Sequence, residues 1–299
     1  MSVGSGEEAA GAHLLSFDVE EYFQVEAAAA HLGPDTWNAL PQRLGPAVDR
    51  LLELLAEWRT SATFFVLGWV ARHEPDVVRR IAQAGHEIAS HGMTHQMLGR
   101  LGPGAFRGEL RESKAVLEDL AGRAVLGYRA PTFSLTQAAA WALDVLAEEG
   151  FRYDSSIFPV HHDRYGVPDA PRHPHVAVGP GGGSLLELPP LTLRVLGTNL
   201  PVAGGGYLRL FPVRLVHWGL KQMRRQGWEG MLYLHPWELD PEQPVLPMSL
   251  VSRWRHRVGL RGSERKLRWL MERHAFGSVA AVLARLLGAA RQTHTYGTA

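Results

Sequence analysis

Asp18 and Glu20 follow a short apolar run, His13 to Phe17, and stand two residues apart. Side chains alternate along a strand, so the two carboxylates share one face while Glu21 points away. His91 and His95 are four apart in His91-Gly92-Met93-Thr94-His95. If the segment after Ser90 turns helical, both imidazoles lie on one side and can share a metal ion. Joined by a carboxylate from another strand end, they make a two-histidine, one-carboxylate set with open positions for water and substrate. Arg129, in Gly127-Tyr128-Arg129-Ala130-Pro131, is either a surface ion-pair residue or the cation that orients Asp18 and holds it ionised. Asp154 either caps the next turn or pairs with an imidazole. His235, in Leu232-Tyr233-Leu234-His235-Pro236, ends another apolar run, where an imidazole titrates near neutrality and suits proton transfer. A base, a metal set and a second titratable group are what a metal-dependent hydrolase requires. His86 has no matching partner and reads as structural.

Other chemistries are disfavoured. The chain has no cysteine, which removes thiolate sites and disulfides. No Gly-x-Ser-x-Gly elbow is present. The glycine runs at 181–183 and 204–206 precede no Lys-Ser/Thr pair, so they read as hinge or loop material rather than a phosphate loop.

Strands and helices must bring these residues together. Pro41 to Trp58 has leucines and a valine at helical spacing. Ala62 to Leu67 is β-branched and aromatic, a buried strand. Helices are expected over Pro75–Ala84, Gly104–Gly122, Gln137–Glu149 and Phe211–Gln226. Strands are expected at His86–Ser90, Val125–Tyr128, Leu185–Leu188 and Met231–Leu234. Alternation of strand and helix from residue 13 to about 156 implies parallel βαβ units and suits a barrel of such units. Residues 160–184, rich in Pro, Gly and His, read as a long surface loop. Residues after Pro247 read as basic and helical, densest in charge at Arg253-Trp254-Arg255-His256-Arg257; the segment is a solvated face or a contact for an acidic polymer or membrane surface.

The chain has 299 residues, 45% of them hydrophobic and 20% charged, with net charge +1. That composition suits a soluble globular protein with a sizeable core and no strong pull toward nucleic acid. Residues 1–12 read as a flexible leader without a secretory pattern, and no apolar stretch reaches membrane-span length, so a cytoplasmic location is expected.

The ordered motifs resemble those of the NodB-type polysaccharide deacetylases (carbohydrate esterase family 4), over about His13 to Asp240. Ser16-Phe17-Asp18-Val19-Glu20 resembles the first motif, His91-x-x-x-His95 the second, Arg129-Ala130-Pro131 the third, Asp154-Ser155-Ser156 the fourth and Leu232-x-x-His235-Pro236 the fifth. The chain departs from the pattern at Val19, where many members carry a second aspartate as metal ligand; Glu20 would then be the ligand. The resemblance implies a distorted, incomplete (β/α) barrel over residues 13–240, with residues 241–299 as a helical extension packed on it. It implies removal of N-acetyl groups from a polysaccharide or oligosaccharide. Glu20, His91 and His95 would hold a divalent metal, Zn²⁺ being the expected ion. Asp18 would be the base, positioned by Arg129, and His235 the acid, aided by Asp154. The whole chain is also similar to deacetylases of bacterial exopolysaccharide systems of the XrtA/PEP-CTERM type. Hydrolysis of a small cyclic amide or another non-peptide C–N bond is the alternative reading.

Overall fold

In the computed structural model of the chain, residues 11–162, 164–289 and 292–297 are described. The leader expected over 1–12 thus lies, apart from Gly11 and Ala12, outside the described residues. Twelve strands are described: β1 (His13–Val19), β2 (Thr63–Val66), β3 (Glu87–Ser90), β4 (Gly127–Tyr128), β5 (Tyr153–Asp154), β6 (His175–Val178), β7 (Ser184–Glu187), β8 (Thr192–Val195), β9 (Thr198–Pro201), β10 (Met231–Leu234), β11 (Phe276–Gly277) and β12 (Thr293–Thr295). The α-helices are α1 (Leu44–Glu57), α2 (Gly68–His73), α3 (Pro75–Gln83), α4 (Pro103–Ala121), α5 (Trp141–Glu148), α6 (Gly205–Leu210), α7 (Val213–Arg225), α8 (Leu250–Arg257), α9 (Ser263–Met271) and α10 (Leu283–Gly288).

Ten strands form one sheet in the order β10-β1-β2-β3-β4-β5-β7-β6-β12, with β11 beside the start of β1. All of its pairs are parallel except β6 with β7. Helical crossovers join the early strands, as parallel pairing requires. Both faces of β1 are therefore covered, and all seven of its residues are buried. Helix α1 turns Leu44, Val48, Leu51, Leu54 and Leu55 into the core. Each such side chain contributes about 1.5–3 kcal/mol on full burial. Pro75 opens α3, and Gly122, at φ 66°, closes α4 in the left-handed conformation that glycine adopts without penalty.

The sheet is strongly coiled. A flat sheet would put β4 about 14 Å from β1, three strand spacings away. Yet Arg129, just past β4, reaches Asp18 on β1 at 2.6 Å. The strand ladder nevertheless stays open: one isolated bridge, Pro190 to Met231, joins the segment after β7 to β10. The barrel suggested by the alternation is thus not closed by strand pairing among the described residues.

Two segments differ from expectation. The loop expected over 160–184 contains β6, which pairs antiparallel with β7 through the glycine turn. Asp144 on α5 accepts the N–H groups of Gly181 (2.9 Å) and Gly183 (2.8 Å), and a Cβ at Gly183 would come within 2.6 Å of the Asp144 backbone. That turn is a docked structure rather than a hinge. The helical tail is also only partly helical: β11 and β12 return to the main sheet, beside β1 and β6. No described helix is long and apolar enough to cross a membrane.

Candidate metal and catalytic site

The predicted residues collect at one end of the sheet. Asp18 is the penultimate residue of β1 and Glu20 follows the strand; His91 follows β3, Arg129 follows β4, Asp154 lies in β5 and His235 follows β10. These are the C-terminal ends of parallel strands, where diverging loops leave room for a ligand. Glu21 points the other way, as the alternation requires. Its Oε1 accepts the N–H groups of Arg43 (2.5 Å) and Leu44 (2.8 Å) at the start of α1. Burial pushes its carboxyl up to about 7 despite those bonds.

His91 and His95 come together, but not on a helix. The chain turns sharply at Gly92 (φ 78°) and again at His95 (φ 56°), so a loop rather than a helical turn brings the two rings within 5.4 Å. Backbone N–H groups at the start of α2 pin that loop: Gly68 donates to the Gly92 carbonyl and Trp69 to that of Met93. Glu109 on α4 accepts from Met93 N and from the Thr94 hydroxyl.

Glu20 Oε2 lies 2.7 Å from His95 Nε2 and 3.7 Å from His91 Nε2. One ligand atom from each of the three residues falls within 4.8 Å of the others. His91 Nδ1 is 2.8 Å from the Arg129 carbonyl. A carbonyl only accepts, so the proton sits on Nδ1 and the Nε2 lone pair faces Glu20. Burial, with the His95 charge, lowers His91 to about 3, which keeps it neutral and able to ligate. Although burial alone would raise Glu20 and lower His95, their mutual attraction wins, moving Glu20 down and His95 up. Glu20 Oε2 is buried and makes no aligned hydrogen bond, even to His95 Nε2 at 2.7 Å. A buried carboxylate oxygen left so, facing two imidazole nitrogens, fits a divalent cation.

Asp18 and Arg129 form a buried pair beside this cluster. Arg129 Nη1 donates to Asp18 Oδ1 (2.6 Å) and Ser16 Oγ (2.9 Å), Nε to the Ser155 carbonyl (3.1 Å) and Nη2 to Ser155 Oγ (2.8 Å). The guanidinium also lies over the Phe65 ring at 4.0 Å. Every one of these contacts fixes the orientation of Asp18 through Arg129, which is fully buried.

His235 flanks the cluster from β10. Its Nε2 is 3.6 Å from Glu20 Oε1, and a fifth of its side chain opens onto a cleft. Burial alone would lower its pKa. Glu238, at 3.8 Å from Nδ1, with Glu20 and Asp18, instead pushes it up to about 9. Glu238 is itself buried, which would raise it, but Arg209 (3.0 Å) and His235 hold it below the ordinary carboxylate range. The His235 ring stacks on Trp237, which stacks in turn on His256 of α8.

Asp154 has other partners than an imidazole. Its carboxylate accepts the Ser156 hydroxyl (2.6 Å) and N–H (3.1 Å), capping that turn, and it faces Glu187. Glu238, which the motif reading did not single out, stands beside His235 in the place weighed for Asp154. Its spacing of three from His235 at the start of a helical turn was the available signal. Arg209 lies outside the motifs, and its buried ion pair with Glu238 depends on a fold contact from α6.

Gly204 and Gly205 are not hinge material. A Cβ on Gly205 would lie 1.4 Å from Glu238 Oε2, and one on Gly204 would lie 2.3 Å from the Tyr233 hydroxyl. Gly205→Ala is expected to push Glu238 off His235, lower the imidazole pKa and destabilise the fold by about 1–3 kcal/mol. A histidine NMR titration with denaturant melts checks both effects.

The Asp154–Glu187 pair gives a second expectation. Burial raises both carboxyls; the Asp154 charge raises Glu187 further, while a hydrogen bond from Glu187 offsets part of the rise at Asp154. A folded pKa above the unfolded value of about 4.3 adds stability that is full below that value and lost as pH rises through the folded one. Glu187→Gln, which can still accept the Ile157 N–H (3.1 Å), should therefore flatten the decline in melting temperature above pH 5. Parallel melts of both proteins across pH test this.

The fold and site define a parallel α/β protein with a Glu–His–His cluster at its strand ends, flanked by an Arg-held aspartate and a cationic histidine. Residues 36–153 match the polysaccharide deacetylase family, and residues 155–284 match a domain of unknown function, DUF3473. The chain is 33% identical over 112 residues to a chitooligosaccharide deacetylase of Rhizobium leguminosarum bv. trifolii, covering 38% of this chain and 48% of that protein. It is 29% identical over 116 residues to a peptidoglycan deacetylase of Helicobacter pylori, covering 39% of this chain and 38% of that protein. The chain thus spans about half or less of the length of these relatives. A Mycobacterium smegmatis crystal structure, named provisionally as a polysaccharide deacetylase, superposes with TM-score 0.63 and 25% identity, covering 97% of this chain and 96% of that one. The stretch that matches the polysaccharide deacetylase family, residues 36–153, holds His91, His95 and Arg129.

Proposed function

We propose that the protein is a metal-dependent hydrolase that removes N-acetyl groups from sugar residues of a polysaccharide, and that it serves exopolysaccharide synthesis of the XrtA/PEP-CTERM type. Residues 13–240 would be the deacetylase unit, an incomplete barrel, and residues 241–299 an extension laid against it. The observation that carries the reading is the placement of the Asp18–Arg129 pair and His235 around the Glu20–His91–His95 cluster. The deacetylase names of the relatives supply the substrate class.

Glu20, His91 and His95 would hold the ion, and the nitrogen-rich donor set suits Zn²⁺. When bound, the cation supplies a Lewis acid for the acetamide carbonyl. Asp18, fixed by Arg129, accepts the proton of the attacking water. His235 is charged at neutral pH and donates a proton to the departing sugar amine. Glu238 and Arg209 hold that imidazole in place. The 560 Å³ cleft beside His235 favours a sugar chain over a small cyclic amide.

Acetate release from N-acetylated oligosaccharides is the test. A chelator should abolish it, and added Zn²⁺ should restore it; release that continues undiminished after metal stripping contradicts the reading.

A further inference from the structure

The cleft beside His235 extends well beyond the space an acetamide needs. Tyr233, Trp237 and Glu238 line its inner end, and Arg164, Tyr207, Trp254 and Arg255 line its outer part. Its charges are unevenly placed. Glu238 is committed to Arg209. Arg164 and Arg255 are exposed and, among the described residues, have no ion-pair partner and no carboxylate other than Glu238 in the cleft lining. Trp254, 56% exposed, offers a broad apolar face at the same rim.

The basic lining continues past this rim. A shallow depression bounded by Trp254, Arg253 and Arg257 adjoins the cleft, sharing Trp254 and Val258 with it. A third, bounded by Arg257, Arg261 and Arg265 with Glu242 as its one acid, shares Arg257 with the second. Net charge for the whole chain is only +1, so positive charge is concentrated along this path.

We propose that this path binds an acidic polysaccharide: an N-acetylated sugar sits at His235, and carboxylate-bearing sugars lie along Arg164, Arg255 and Arg257. The inference deepens the deacetylase reading by naming the charge of its substrate, and it rests on that reading for the sugar at His235. Guanidinium forks pair with carboxylates in two-point contacts, and the indole face of Trp254 packs against the C–H face of a sugar ring. The arginines line concave depressions that open from the catalytic histidine, which suits an extended polymer. Leu250 and Val251 are exposed beside Trp254 on the same helix, so a membrane surface is the rival polyanion; the concave lining that Arg164 and Arg255 share with His235 favours the sugar chain.

The test is calorimetric binding of the Zn²⁺-loaded full chain to a neutral chitin hexasaccharide and to a hyaluronan hexasaccharide, whose sugars alternate N-acetylglucosamine with glucuronate. Acetate release is measured on both in parallel. The acidic ligand should bind about tenfold tighter, with the gap narrowing as salt rises. Arg255→Gln should shrink the gap, and Trp254→Ala should weaken both ligands. Equal binding, or a preference for the neutral chain, overturns the proposal. Acetate release without a charge preference does the same while leaving the deacetylase reading intact. An acidic preference without acetate release upholds the anionic path and removes the deacetylase reading. Binding to phosphatidylglycerol vesicles without preference for the acidic sugar would assign the basic path to a membrane and overturn the proposal.

Discussion

Asp18→Asn should lower acetate release by about 10²–10⁴-fold while the protein still binds its metal. The amide is nearly isosteric with the carboxylate and its oxygen can still accept from Arg129, so the pair's geometry survives. What is lost is a group able to take a proton from water. Asp18 is not one of the three clustered ligands, so metal content should not fall. The informative readout is therefore paired: turnover on an N-acetylated oligosaccharide together with elemental analysis of the same sample. Full turnover removes Asp18 as the base. Loss of metal together with turnover would make Asp18 a ligand instead.

Arg129→Met should be the most destabilising single change in the site. Arg129 is fully buried, donates to Asp18, Ser16 and Ser155, and lies over Phe65. Methionine fills part of the volume but leaves Asp18 buried without its cation. Breaking a buried pair in this way costs about 3–5 kcal/mol. Denaturant unfolding should show that loss in midpoint with little change in slope. Asp18→Asn made in the same background should recover part of it, since the amide carries no charge to strand. If the double variant is no more stable than Arg129→Met alone, the arginine's role lies in its packing and its other hydrogen bonds rather than in the ion pair.

The sequence made some elements of the site easy to read and hid others. Met231–Leu234 is legible because an apolar run bounded by Gly230 and Pro236 has few alternatives to a buried strand, and β10 has those bounds. The pairing of Asp18 with Arg129 was legible once both were placed at strand ends. The spacing of His91 and His95 pointed to a shared side, yet the positive φ angles at Gly92 and His95 replace the helical turn with a pinned loop. Periodicity carries no information about such a loop. β6 is hidden among the prolines and histidines that flank it, because a four-residue strand is stabilised by its antiparallel partner rather than by its own pattern. β11 and β12, two and three residues long, exist through contacts with β1 and β6 far away in the chain. The same holds for Gly205, whose missing Cβ makes room for a glutamate thirty-three positions later.

The claim on which the account depends is that Glu20, His91 and His95 close on one ion. Anomalous diffraction at the zinc edge, from crystals of the Zn²⁺-loaded protein, tests it most directly. The account predicts a single strong peak about 2.0–2.2 Å from a Glu20 oxygen and from the Nε2 atoms of His91 and His95. Density confined to other residues, or none at this cluster under saturating zinc, would contradict it.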